Sequence, residues 1–186
     1  QEIFNLHMHT FFSYNAYGYS PSRIALISRE KSFSLAGVVD FDVLDALEEF
    51  IDTSRSLGLK ACVGVESRVV VPEFSSRVIN SPGEPGLSEH VGIGFTTSRI
   101  EGWAGEYLKS MREKAAQRNR ELVERVNAFT DPVVLDYENE VLPLTPNGNA
   151  TERHICLAYA RKAAAHFSDD AALSDFWVDK LSVEPE

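Results

Sequence analysis

Leu35-Ala36-Gly37-Val38-Val39-Asp40 reads as a strand buried on both faces, and the fold follows from that reading. The run is short, β-branched and apolar until its last residue. Upstream, Ser20-Pro21 supplies an N-cap with proline at the first helical position, predicting a helix over about 21 to 31. Downstream, Asp42 is expected to cap a second helix. Leu44, Leu47, Phe50, Ile51 and Ser54 keep one of its faces apolar to Leu57, and Gly58 ends it. Ile3 to Met8 predicts a strand before this pair, and Ala61 to Val71 another after it. A loop from Pro72 to Ser88 then leads to a fourth strand, His90-Val91-Gly92-Ile93-Gly94-Phe95. The order βαβαββ implies an α/β chain with a parallel sheet, either doubly wound or rolled into a barrel.

The second half changes character. Trp103, Tyr107, Met111, Ala115, Leu122, Val126 and Phe129 recur at helical spacing and predict a long amphipathic helix. A Pro/Asn/Gly linker is expected from Asp131 to Asn149. Thr151 then caps a helix to Phe167, and Ser168-Asp169 starts another near 170 to 181. These patterns divide the chain into an α/β part over 1–100 and a helical subdomain over 101–186.

With 186 residues, 44% hydrophobic and 25% charged, the chain can bury one substantial core. Twenty-eight acidic residues against 18 basic ones give a net charge of −10, which repels a phosphate backbone and disfavours long nucleic acid as a partner. Cys62 and Cys156 stand far apart with no CxxC partner, so a reduced, cytoplasmic setting is expected over a disulfide framework. No signal segment and no apolar run of about 18 residues is present, so no membrane partner is expected. Oligomeric state is not encoded in any of these patterns. The chain starts at Gln1 beside a strand and stops at Ser182-Val183-Glu184-Pro185-Glu186 without a closing motif, the pattern of a fragment.

Chemistry enters at His7-Met8-His9. Two imidazoles at i and i+2 project to one side of a strand and can share a cation, although an HxH alone is equally an edge-strand pair of half-solvated histidines. Asp40 ends the second strand, Glu66 interrupts the apolar third, and His90 begins the fourth. In an α/β sheet or barrel functional side chains gather at the carboxyl ends of the parallel strands. Imidazole nitrogens and carboxylate oxygens hold Zn, Mn or Fe without thiolates. Glu66 is either a metal ligand, even a bridge between two cations, or a buried strand carboxylate paired with an arginine such as Arg68. Asp40 and Asp42 divide two tasks, one orienting a ligand histidine and the other capping the next helix. His90 is either a ligand or a half-buried strand histidine.

In this order the residues resemble the PHP family, the polymerase and histidinol phosphatase superfamily of metal-dependent phosphoesterases. Asn5-Leu6-His7-Met8-His9-Thr10-Phe11-Phe12-Ser13 is similar to the opening D-L-H-x-H-T-x-x-S, and Gly37 to Leu47 to the T-D-H-D-x-x-x-G-L motif. Val63-Gly64-Val65-Glu66 resembles the G-x-E strand, and His90-Val91-Gly92-Ile93-Gly94 the H-x-L-G-Y segment. Thr151-Glu152-Arg153-His154-Ile155 resembles, more weakly, a T-R-x-H-I helix start in the family's inserted domain. Two positions depart: Tyr14-Asn15 and Phe41 stand where the family has ligands. No D-x-H pair follows residue 95.

The resemblance implies a PHP-type distorted (β/α)7 barrel, incomplete at its C-terminus, with a helical inserted subdomain. It implies one or two divalent ions, with His7 and His9 on one, Glu66 as bridge and His90 on the second. Asp40 acts in support, and Arg153 or His154 faces a phosphate, or else Arg153 is an ordinary solvated first-turn residue. The implied reaction is hydrolysis of small phosphomonoesters or nucleotides by water activated on the metal. Two other functions fit a related scaffold. One is a non-catalytic small-molecule or protein-binding module with a degenerate metal site. The other is an amidohydrolase-like reaction, which calls for a strand-borne lysine and a late aspartate absent from this chain.

Overall fold

A computed structural model describes residues 2–183 of the chain. Its sheet has four strands, β1 (Phe4–Asn5), β2 (Leu35–Phe41), β3 (Lys60–Val70) and β4 (Leu87–Ile93), lying side by side in that order. Two helices alternate with them, α1 (Pro21–Glu30) and α2 (Leu47–Ser56). Three more follow: α3 (Gly102–Thr130), α4 (Glu152–His166) and α5 (Asp170–Leu181). The chain is a mixed α/β protein with a curled sheet.

It divides into two compact units, Gln1–Arg112 and Glu113–Glu186, with the boundary inside α3. In the first, β1, β2 and β3 are parallel, as the βαβαβ order predicts. Ser20 caps α1 by accepting from the Arg23 N–H, and Gly58 closes α2 at φ 64°, a left-handed conformation glycine adopts without Cβ strain. Asp42 is not the cap of α2: residues 42–46 form a turn at φ 59° for Asp42, and α2 begins at Leu47 with no side-chain cap. The Asp42 carboxylate accepts instead from Ser67 Oγ at 2.8 Å. Strand pairing sorts β2 and β3 into two faces. Ala36, Val38, Val63 and Val65 join Ile24 and Ala25 of α1 and Leu47 and Phe50 of α2 in the core. Gly37, Val39, Phe41, Cys62, Gly64 and Glu66 occupy the other face.

The parallel expectation fails at β4, which pairs antiparallel with β3, Ser67 opposite His90 and Glu66 opposite Val91. Residues 71–86 form a hairpin connection rather than a crossover, held by Val71 N–H to Gly86 O at 2.8 Å and Gly86 N–H to Arg77 O at 2.8 Å.

The second unit packs Val123 of α3, Ile155, Ala158 and Tyr159 of α4, and Phe176 of α5 around Val133, Leu135, Tyr137 and Val141. The stretch read as a linker therefore contributes to the core, and it holds a π turn over Tyr137–Val141. Asn127 anchors it: its side chain donates to Leu135 O at 2.8 Å and accepts from Leu135 N–H at 2.7 Å. Asn127 Oδ1 also accepts the Tyr159 hydroxyl at 2.7 Å, and burial pushes that phenol up to about 12. Asp169 caps α5 by accepting from Ala171 and Ala172 N–H. No helix among the described residues is long and apolar enough to cross a membrane.

Candidate metal centre

His7, His9 and Glu66 converge although formal pairing in β1 ends at Asn5. The segment continues alongside β2 through the Val39 N–H to Met8 O hydrogen bond at 2.9 Å, so the alternation of His7 and His9 is kept. Glu66 comes from the interior of β3, in register with Phe41. Its Oε2 lies 3.0 Å from His7 Nε2 and 3.2 Å from His9 Nε2. One donor atom from each of the three residues falls within 4.8 Å of the others, the one such group among the described residues. Exposure grades across it, with side chains of His7 at 54%, His9 at 25% and Glu66 at 4%.

A hydrogen-bond relay sets the tautomer of His9. Asp40 is buried on the helix-facing side of β2 and accepts Thr10 N–H at 2.8 Å, Thr10 Oγ–H at 2.6 Å and Ser13 Oγ–H at 2.7 Å. Thr10 Oγ1 in turn accepts from Phe12 N–H at 3.2 Å, which leaves its own proton for Asp40. With its proton given to the carboxylate, Ser13 Oγ can only accept from His9 Nδ1–H, 3.1 Å away. A neutral His9 then directs the Nε2 lone pair at the Glu66 carboxylate. Two electron-rich atoms at that distance require positive charge between or beside them, either a proton or a cation. Burial raises the Asp40 pKa above the ordinary carboxylate value, against the lowering effect of its Thr10 and Ser13 hydrogen bonds.

The donor set suits a divalent ion: two imidazoles and one carboxylate, already converging, with no thiolate in the group and no arginine on Glu66 among the described residues. Arg68 pairs with Glu84 instead. Phe41 stacks on His9, ring centroids 4.7 Å apart and planes inclined by 23°.

The remaining candidates lie elsewhere. His90 is exposed and is not brought to the cluster. Because β4 is antiparallel and His90 stands opposite Ser67, its side chain belongs to the face opposite that of Glu66. Arg153 is exposed in the first turn of α4. His154 is buried and committed to the helix cap, its Nδ1 accepting from Thr151 N–H at 3.0 Å. Burial lowers its pKa to about 4. Thr10 and Ser13 carry the relay, a role the sequence reading did not give them. The signal was two small hydroxyls placed one and four residues after His9 in an aromatic stretch.

The sequence matches no family profile and no curated protein. Solved structures do match. A protein from Bifidobacterium adolescentis named as a metal-dependent phosphoesterase superposes with a TM-score of 0.68 at 17% identity, over 98% of this chain and 56% of that one. An amidohydrolase from Chromobacterium violaceum, solved with bound sulfate and no metal, gives 0.63 at 19% identity, over 89% of this chain and 51% of its own. The likeness is one of fold, and the chain spans about half the length of these structures.

Proposed function

We propose that this chain carries the metal-holding part of a PHP-type hydrolase, with one divalent cation on His7, His9 and Glu66, acting on small phosphomonoesters or nucleotides. The observation that carries the reading is the relay Asp40–Ser13–His9, which aims the His9 lone pair at a buried carboxylate. A cation bound there supplies Lewis acidity, offsetting charge on ester oxygens and lowering the pKa of water. The chain's own residues do the rest. Asp40 and Ser13 lock the His9 ring, Glu66 contributes a dry negative charge, and half-exposed His7 faces the open side. The helical residues 101–186 are read as an inserted subdomain.

A second reading has its own support. Phe41, stacked on His9, contributes a hydrocarbon ring in register with Glu66 where a further ligand would complete a larger cluster. A non-catalytic module that binds a metal or a small molecule also fits that substitution.

Metal titration followed by phosphatase assay separates the readings. The purified protein is expected to bind about one Mn²⁺ or Zn²⁺ per chain and to hydrolyse a generic phosphomonoester, both lost in His7→Ala. Stoichiometric metal without turnover favours the binding module, and full metal binding in His7→Ala refutes the site.

A further inference from the structure

Arg68 follows Glu66 by two residues on β3, so strand alternation puts both side chains on the same face, about 7 Å apart along the strand. Its side chain is 23% exposed, and its guanidinium meets the carboxylate of Glu84, a side chain 44% exposed, from the hairpin loop between β3 and β4. Glu89 stands opposite Arg68 in register, adding a second carboxylate to that neighbourhood. A strand arginine two residues from a metal-ligand cluster is well placed for an anion. What it holds in this structure is an internal one.

We propose that Arg68 is the anion-recognising residue of the candidate centre and that Glu84 is its built-in competitor, exchanged for the phosphoryl group of the substrate. The proposal rests on the metal reading above. Two neutral imidazoles and one carboxylate carry a net −1, so a divalent cation turns the cluster to +1 and draws an anion toward the face that Arg68 shares. A guanidinium fork matches two oxygens of a phosphate, and the dianion outcompetes a single carboxylate. Half-exposed ion pairs contribute little stability, so exchanging Glu84 is easy. The loop need not open. Glu84 sits in a turn kept by its N–H to Ser81 O at 3.1 Å and by Gly86 N–H to Arg77 O at 2.8 Å, leaving its side chain to rotate alone. With Glu89 nearby, Arg68 without the cation faces too much negative charge to retain phosphate.

The test is calorimetric titration of inorganic phosphate into the full chain loaded with Mn²⁺, with folding checked by circular dichroism. Arg68→Ala is expected to weaken phosphate binding roughly tenfold to a hundredfold, and Arg68→Lys to fall between it and the parent. Glu84→Gln, which removes the competitor, is expected to tighten it roughly twofold to fivefold. Opposite directions are the signature, because a purely structural ion pair would make both variants weaken binding together. Shifts in one direction, or none, overturn the proposal, and Arg68→Lys decides it if Arg68→Ala does not fold. Mn²⁺ binding is measured in the same samples. If the parent binds Mn²⁺ no better than His7→Ala, the metal reading has failed. If it binds Mn²⁺ normally but phosphate ignores Arg68 and Glu84, only the present inference has failed.

Discussion

Replacing Asp40 by alanine takes the acceptor away from three buried donors, the Thr10 N–H, the Thr10 hydroxyl and the Ser13 hydroxyl. A buried donor left unsatisfied costs about 1–3 kcal/mol. The two hydroxyls can rotate, and the raised pKa of Asp40 means that removing its charge also relieves a desolvation cost, so the net loss is about 2–4 kcal/mol. Asparagine keeps the shape and one oxygen, enough for Thr10 N–H and Ser13, and should stay within about 1 kcal/mol of the parent. Metal affinity should follow the same pattern. Asp40→Ala frees the Ser13 proton and with it the His9 ring, lowering Mn²⁺ affinity roughly tenfold to a hundredfold, while Asp40→Asn stays near the parent. Urea unfolding followed by circular dichroism reads stability, and Mn²⁺ titration reads affinity. Equal losses for the two variants, or an alanine variant within about 0.5 kcal/mol of the parent, would refute the relay. A pH series adds a sign. Because the folded pKa lies above the free value of 3.8, the Asp40 contribution is complete below that value and is lost as pH rises through the folded one. The stability of the parent relative to Asp40→Asn should therefore decline as pH increases over that window.

Glu66→Gln should abolish stoichiometric Mn²⁺ binding while leaving the circular dichroism spectrum intact, and retained binding would exclude Glu66 as a ligand. His154 titrates near 4 in the fold against 6.5 when free, so its contribution is present above 6.5 and lost as pH falls through 4. Urea midpoints should drop between pH 7 and 4 by an amount equivalent to about 2–3 kcal/mol, less in His154→Gln, which keeps an acceptor for the Thr151 N–H. Gly64→Ala should cost at least about 2 kcal/mol in thermal or urea unfolding, because an added Cβ would meet the Gly92 carbonyl oxygen at 2.4 Å, and a neutral result would show that the β3–β4 pair gives way there.

Much of the first unit is legible in its residues because local rules agree with tertiary packing. The β2 run, the Ser20-Pro21 start and the Gly58 stop each combine a hydrophobic period with a cap, and each appears where the pattern puts it. The direction of β4 is not legible, since apolar alternation is the same for either direction and the loop over 72–86 is long enough for both. Direction alone does not separate His90 from the cluster: the hairpin brings it level with Ser67, and that register, one residue off Glu66, turns its side chain to the other face. The packed stretch over 131–149 was hidden for another reason. Its core residues Val133, Leu135 and Tyr137 alternate like a strand over too short a run and join no strand among the described residues, Val141 follows on a π turn, and the backbone of Leu135 is met by the Asn127 side chain. Within the site, the HxH and the strand glutamate were readable as donors. The relay was not, because Asp40 meets Ser13 across 27 positions of sequence.

Phe41 has a consequence for how such a centre changes over generations. Its ring already rests on His9 and its backbone already sits level with Glu66, so exchanging that ring for one bearing nitrogen would bring a fourth donor to the cluster with no movement of the sheet. A single position thus separates a cluster of three donor side chains from one of four.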